Sequence, residues 1–239
     1  MITTTWVIEY IEYSPSGDVV VLHVKVSEEL TFAEGKFMLL EALIDGKVVK
    51  RSYSISSTNQ TLQDRQIISF SIKRKDDGVF STWATKVARK GMSITMTWPL
   101  GKFFDNWLSK NYLFISVGCG LSPCLSIYDH LIHTDRYDKI ANLFGEKTID
   151  HIPYSVLASY TKMNDRVYNQ ICLSRQMHTS HEKILRSGYV QEAIDDALAF
   201  LATDDIVAFV CGLPAMCDDV RDILLTKWFA KERLIIEKY

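Results

Sequence analysis

No stretch of the 239 residues reaches the roughly 18 uninterrupted apolar residues of a membrane-spanning helix. The start, MITTTWVIEYIEY, also lacks the basic segment and apolar run of a secretory leader. A soluble, cytoplasmic protein is expected. Charge of neither sign dominates: 27 Lys and Arg stand against 29 Asp and Glu, a formal net charge of -2. That balance gives no overall attraction to nucleic acid or an anionic membrane, so a charged partner must be met by a local patch. Cysteine is scarce and odd in number. The five, at positions 119, 124, 172, 211 and 217, do not suit a disulfide framework and are read as thiols. Cys119 and Cys124 have the first C-x4-C interval of a plant-type iron-sulfur site, but the next ligand would fall on Ile127, which argues against a cluster. The six histidines include no H-E-x-x-H, and His178 and His181 sit in a polar stretch that reads as a solvated loop. No metal is expected, and no repeat or low-complexity segment interrupts the chain.

What the sequence does have is two rhythms. Up to about Asp105 it reads as short strands, Val19 to Val26, Phe37 to Leu43 and Ile67 to Ile72, separated by turn-prone segments such as Ser14-Pro15-Ser16-Gly17-Asp18, Asp45-Gly46-Lys47 and Asp76-Asp77-Gly78. That is the pattern of an antiparallel barrel or sandwich. After Asn106, continuous apolar runs alternate with amphipathic segments, as buried parallel strands alternate with helices. Tyr112 to Val117, Ile140 to Phe144, Val167 to Leu173, Ile206 to Cys211 and Leu234 to Ile236 are the expected strands. Leu121, Leu125, Tyr128 and Ile132 mark the apolar stripe of the first helix, and Val220, Ile223, Leu224 and Trp228 that of the last. The second half reads as a doubly wound nucleotide domain.

The turn Gly118-Cys119-Gly120-Leu121-Ser122-Pro123 lies between the first parallel strand and its helix. Small residues there let backbone amides approach a phosphate at the helix N-terminus, although Pro123 stands where a G-x-G-x-x-G motif has its third glycine. Taken alone, the segment is equally a tight strand-to-helix turn. Arg51-Ser52-Tyr53-Ser54-Ile55-Ser56-Ser57 supplies a guanidinium for a pyrophosphate, an aromatic ring for a flat ring system and a hydroxyl beside it.

Arg51 to Ser57 resembles the R-x-Y-S-x-x-S flavin motif of the ferredoxin-NADP reductase family. Other segments follow in that family's order. Gly78-Val79-Phe80-Ser81-Thr82-Trp83 is similar to its second flavin segment, and Trp98-Pro99-Leu100-Gly101-Lys102-Phe103 to its Gly-Pro-x-Gly-x-Phe, with Trp98 in place of glycine. The Gly118 turn resembles its G-T-G-x-x-P, with Cys119 for threonine. Cys211-Gly212-Leu213-Pro214-Ala215-Met216 resembles its Cys-Gly-x-x-x-Met, and Glu237-Lys238-Tyr239 the Glu-x-Tyr of plastid-type members.

The resemblance implies an antiparallel FAD-binding β-barrel (residues 1–106) followed by a doubly wound parallel-sheet NAD(P)-binding α/β domain (107–239), acting as an FAD-dependent NAD(P)H oxidoreductase. It implies FAD held by Arg51, Tyr53, Ser54, Val79, Phe80 and Ser81. The nicotinamide dinucleotide is held by Gly118, Cys119, Gly120 and Gly212, and hydride passes between nicotinamide and flavin. Ser54, Cys211, Glu237 and Tyr239 are the implied catalytic residues, Tyr239 stacking on the flavin and yielding to nicotinamide. Ser174-Arg175 is similar to the pair that holds the 2′-phosphate of NADPH, with Lys183 and Arg186 as further candidates. The implied acceptor is ferredoxin or flavodoxin, steered by a basic patch of Lys73, Arg74, Lys75, Lys86, Arg89 and Lys90, an arrangement that also fits an ordinary solubilising surface. A monomer is expected. Two alternatives stay open: an NADH-dependent reductase component of an oxygenase or cytochrome system, though the chain leaves no room for an added iron-sulfur or haem module, and a flavin-binding sensor or regulatory subunit without turnover.

Overall fold

The structure is a computed structural model and describes residues 3–26, 30–102, 109–161, 164–177 and 184–239. The expected boundary at 106/107, Phe103, His178, His181 and Lys183 lie outside the described residues. The first half forms one antiparallel sheet of six strands, β1 (Thr3–Tyr13), β2 (Val19–Lys25), β3 (Phe37–Ile44), β4 (Lys47–Ser54), β5 (Ile67–Lys73) and β6 (Ser93–Thr97), in the order β4-β3-β6-β1-β2-β5. The sheet curls so that its two edges meet. Just past β4, the Ser56 amide donates to the Ser69 carbonyl of β5 at 2.9 Å. Alternating side chains such as Ile8, Leu22, Met38, Leu40 and Phe70 fill the interior and are fully buried. Past β6, Leu100 pairs with Phe37, and Gly101 has φ +96 with space for no side chain against the Phe37 ring. Glycine is required there. Two helices lie on this half, α1 (Asn59–Arg65), capped by the Thr58 side chain, and the single turn α2 (Val79–Thr82), which runs on into a π-turn over Trp83–Val87.

The second half is a parallel sheet of β7 (Asn111–Val117), β8 (Lys139–Glu146), β9 (Val167–Leu173), β10 (Leu185–Ser187), β11 (Ile206–Gly212) and β12 (Leu234–Lys238), in the order β10-β9-β8-β7-β11-β12. Helices α3 (Leu121–Thr134) and α4 (Tyr154–Tyr160) cover one face, and α5 (Ile194–Leu201) and α6 (Pro214–Thr226) the other, each over its own apolar cluster. All seven residues of β11 are buried, as a strand covered on both faces requires. The winding reverses between β7 and β11, and ligands of open parallel sheets bind outside the carboxyl ends at such a reversal.

One expectation about packing is corrected. α6 ends at Thr226, and Trp228 lies beyond it at φ +70 and 95% exposed, so it is not part of the helix's apolar stripe. The chain turns at Lys227, and Phe229, whose amide donates to the Leu224 carbonyl at 3.2 Å, packs on the core instead.

The two halves are joined by named polar contacts. Ser126 donates to the Ser57 carbonyl at 2.8 Å, the Ser155 amide to Glu12 at 2.7 Å, and the Ser16 amide to the Asp150 carbonyl at 2.8 Å. Glu34, 5% exposed, accepts from the Asn59 amide at 3.0 Å and pairs with His130 of α3 at 3.1 Å. Burial alone would raise this carboxyl, but the bonds from His130, Asn59 and its own amide hold it below the usual carboxylate range. A lowered folded-state value means that its stabilisation is complete above the unfolded value and fades as pH falls through the folded one. Glu34→Gln is therefore expected to cost about 1 kcal/mol at neutral pH. It should also flatten the acid limb of Tm against pH below about 4.5. Parallel acid limbs for the two proteins in thermal melts would contradict the role given to Glu34.

Candidate functional site

On the barrel side, β4 presents Arg51 and Tyr53 on one face by the two-residue period of a strand, with Ser54 at its end opposite Phe37. Arg51 is exposed and donates to its neighbour's carbonyl, Lys50, at 2.7 Å. Tyr53 is half-buried, its ring 5.4 Å from that of Phe80. Burial and the proximity of Cys119 push its phenol well above the ordinary value, with Arg51 opposing.

The segment at Gly78 accounts for its own polar groups in an informative way. Ser81, 6% exposed, donates its hydroxyl to the Gly78 carbonyl and accepts from the Lys75 amide, both at 3.1 Å. Its side chain thus ties the turn together instead of reaching outward. Phe80 is 1% exposed and packs between Tyr53 and Trp83. The first amide bonded inside the turn is that of Thr82, to the Gly78 carbonyl at 2.9 Å. The amides of Val79, Phe80 and Ser81 precede it, and no side chain caps the turn. What this segment offers an anion is backbone.

On the other side, β7 ends at Val117 and the chain turns through Gly118–Gly120 into α3. Gly118 has φ +52, and a Cβ there would lie 2.9 Å from the Tyr239 hydroxyl. Gly120 lies against the end of β11, where an added Cβ would stand 2.3 Å from the Cys211 carbonyl oxygen. The N-terminus of α3 has neither a side-chain cap nor an acidic residue in its first turn, which suits it to a phosphate. Cys119 is half-buried; burial pushes its thiol up to about 11, with Lys73 opposing, so it acts as a small packing residue and not a nucleophile.

β11 and β12 bring the remaining candidates together. Cys211, 3% exposed, is in register with Glu237 on one side and Ser116 on the other. Burial raises both the Cys211 thiol and the half-buried Glu237 carboxyl. Tyr239 donates its amide to the Gly212 carbonyl at 3.3 Å and its hydroxyl to the Val117 carbonyl at 2.8 Å, and that hydroxyl accepts from the Gly120 amide. The side chain thus lies across the reversal point from β11 to β7, on the turn where a dinucleotide would enter.

Ser174 and Arg175 follow β9 at the same carboxyl edge, held by their amides to the Glu146 and Lys147 carbonyls, each at 2.9 Å. Arg175 is exposed. The Gly188 amide donates to the Leu173 carbonyl at 3.1 Å, and Tyr189, which follows it, is 62% exposed. Sequence reading did not single out Tyr189. Its place follows the β9-β10 pairing, which ends at Ser187 two residues before it.

Other assignments change. Arg186 is paired with Asp196 at 2.6 Å and so does not supplement Arg175. Of the six residues of the basic patch, Lys73 pairs with Glu146 at 2.5 Å, Arg74 with Asp18 at 2.5 Å and Lys90 with Glu9 at 3.0 Å. Arg89 bonds to the Ala88 and Lys86 carbonyls. The Lys73-Glu146 pair crosses between the two halves beside the Gly118 turn, a placement that no motif announced. Among the described residues, no three His, Cys, Asp or Glu are grouped to hold a metal ion, and no helix is long and apolar enough to cross a membrane.

Comparison with known proteins agrees with this division. The oxidoreductase FAD-binding domain family matches residues 7–104 and the oxidoreductase NAD-binding domain family residues 114–222. The chain is 25% identical to a ferredoxin-NADP reductase of Pseudomonas aeruginosa over 82% of its own length and 79% of that protein's. It is 24% identical to one of the subunits of the 1,2-phenylacetyl-CoA epoxidase of Escherichia coli over 90% of its own length, and spans 60% of that relative. In fold it is similar to a ferredoxin NADP+ reductase from Neisseria gonorrhoeae solved with bound FAD and NADP, at a TM-score of 0.83 and 17% identity, over 99% of this chain and 98% of that one.

Proposed function

Because the chain belongs to the ferredoxin-NADP reductase family of FAD- and NAD(P)-binding oxidoreductases, we propose that it couples oxidation of NADPH to one-electron reduction of a small carrier protein, ferredoxin or flavodoxin. The observation that supports this reading is the Lys73-Glu146 pair, which brings the end of β5 in the flavin-type half against the dinucleotide-type turn at Gly118. Bound FAD accepts hydride from a nicotinamide and releases electrons singly.

Arg51 and the free amides of Val79, Phe80 and Ser81 would hold the FAD pyrophosphate, and Tyr53 the flat face of its ring system. The Gly118–Gly120 turn and the uncapped start of α3 would take the dinucleotide pyrophosphate. Buried Cys211 would help to hold the nicotinamide at the end of β11. Glu237, its carboxyl raised by burial, is suited to hold or pass a proton at the site. Arg175 and Ser174 would receive a 2′-phosphate, which favours NADPH over NADH, and exposed Tyr189 would stack on the adenine that both dinucleotides share. Lys75 and Lys86, without acidic partners among the described residues of the kind that occupy Lys73, Arg74 and Lys90, are the residues of the basic patch best placed to steer an acidic carrier.

Ser54 lies at the end of β4 and is half-buried, and the proposed role is orientation of the flavin edge that receives hydride. Ser54→Ala is expected to slow hydride transfer at least tenfold while changing the NADP+ dissociation constant less than threefold. Single-turnover rates and equilibrium titration on FAD-loaded protein separate the two. Equal losses in rate and affinity would remove Ser54 from its role. A second reading, a reductase component of an oxygenating system, is favoured by the epoxidase relative. Faster reduction by NADH than by NADPH would support it.

A further inference from the structure

A cleft of about 280 Å³ lies between the two halves and adjoins both proposed nucleotide sites, sharing Ser57 with the flavin-type segment and Leu121 and Ser122 with the start of α3. From the barrel, His23 of β2 and Ser69 and Ser71 of β5 line it; Ser122 and Leu125 of α3 and Val156 of α4 line the opposite wall. It holds roughly nine waters' volume, close to the lower end of ligand pockets. Its walls carry seven serines but only one arginine, Arg65, and one aspartate, Asp129.

Two of the wall residues have uncommitted polar atoms. His23 is 8% exposed and its Nδ1 is paired with the Ser69 hydroxyl at 2.8 Å, but its Nε2 has no hydrogen-bond partner. Ser122 is 2% exposed, and its hydroxyl is also without one. A buried polar atom left unpaired costs about 1–3 kcal/mol, which a ligand can recover. The Tyr10 ring stacks on His23 at 3.8 Å and lines the same cleft, so the barrel wall is flat and aromatic, while Leu125 and Val156 make the facing wall apolar. The cleft also reaches Leu121 and Ser122, the first residues of α3 after the dinucleotide turn.

We propose that this cleft is a second small-molecule site, which takes an uncharged, hydrogen-bonding heterocycle of nucleobase size and is coupled to the dinucleotide turn through Ser122 in the first turn of α3. The balanced wall charge selects against ions, the unpaired His23 Nε2 and Ser122 hydroxyl select for ring nitrogens and carbonyls, and the flat walls select for a planar body. Because coupling between sites is reciprocal, a ligand here changes NADP+ affinity by the same factor by which NADP+ changes the ligand's.

The test is isothermal titration of FAD-loaded protein, saturated with NADP+ so that the dinucleotide site is filled, with adenine and with uracil. Saturable binding of at least one, weakened tenfold or more by Val156→Trp and less than twofold by Tyr189→Ala, is the expected result. No saturable heat from either probe overturns the proposal, as does binding that Tyr189→Ala weakens as much as Val156→Trp does. Should Val156→Trp fail to fold, the ¹⁵N shift of His23 Nε2 in the unaltered protein decides. Movement on adding the bound probe supports the site, and an unmoved resonance excludes it.

Discussion

Gly120→Ala is expected to lower the melting temperature and to weaken NADP+ binding together. The added Cβ would lie 2.3 Å from the Cys211 carbonyl oxygen, 2.6 Å from its carbon and 2.9 Å from the Gly212 nitrogen. All three are backbone atoms of β11, so no rotamer change relieves the clash, and the ends of β7 and β11 must part. Forced repacking of this kind costs about 1–3 kcal/mol, which lowers Tm by roughly 2–4 °C for each kcal/mol in a chain of this size. The same displacement moves the turn that would hold the pyrophosphate, so the dissociation constant should rise at least tenfold. Gly17→Ala is the control: Gly17 has φ +71 with nothing near its Cβ position, so it carries only the left-handed backbone cost of about 1–2 kcal/mol and leaves nucleotide binding intact. A Gly120→Ala protein that binds NADP+ normally would mean that the turn is not the dinucleotide site.

Tyr239→Phe is expected to act in the opposite direction and tighten NADP+ binding. The hydroxyl donates to the Val117 carbonyl and accepts from the Gly120 amide, holding the ring on the turn that the dinucleotide must reach. Removing those bonds frees the Gly120 amide and loosens the side chain, at about 0.5–1.5 kcal/mol for each bond. Affinity should rise about three- to tenfold, and further in Tyr239→Ser, where the ring itself is gone. The comparison is an equilibrium titration on FAD-loaded protein. Unchanged or weaker binding in both variants would show that Tyr239 does not occupy the nucleotide's place.

Much of the fold was legible because buried parallel strands announce themselves as apolar runs. Val167–Leu173 is the expected strand to the residue, and β7, β8, β11 and β12 differ from expectation only at their ends. β1 was not marked as a strand because it begins with three exposed threonines and shifts register between Ile8 and Tyr10 as it passes from β6 to β2, which breaks the simple alternation. β10, only three half-buried residues long, has no pattern to read. Trp228 misled because helical spacing does not say where a helix stops.

The proposed site was read from single segments, at Arg51–Ser54 and Gly118–Gly120. What arises from juxtaposition was not legible. The Lys73-Glu146 pair depends on how the two halves meet, and the turn before Tyr189 on how β10 pairs with β9. Ser81 shows the converse. Its motif position suggested a side-chain contact, yet the hydroxyl is committed to the turn and leaves only the backbone free.

The central claim is tested by mixing FAD-loaded protein anaerobically with NADPH, and separately with NADH, in a stopped-flow spectrometer and following bleaching of the flavin absorbance. Rapid bleaching by NADPH and slow bleaching by NADH, with the preference reduced at least tenfold in Arg175→Ala, is the predicted result. No bleaching by either nucleotide would contradict it.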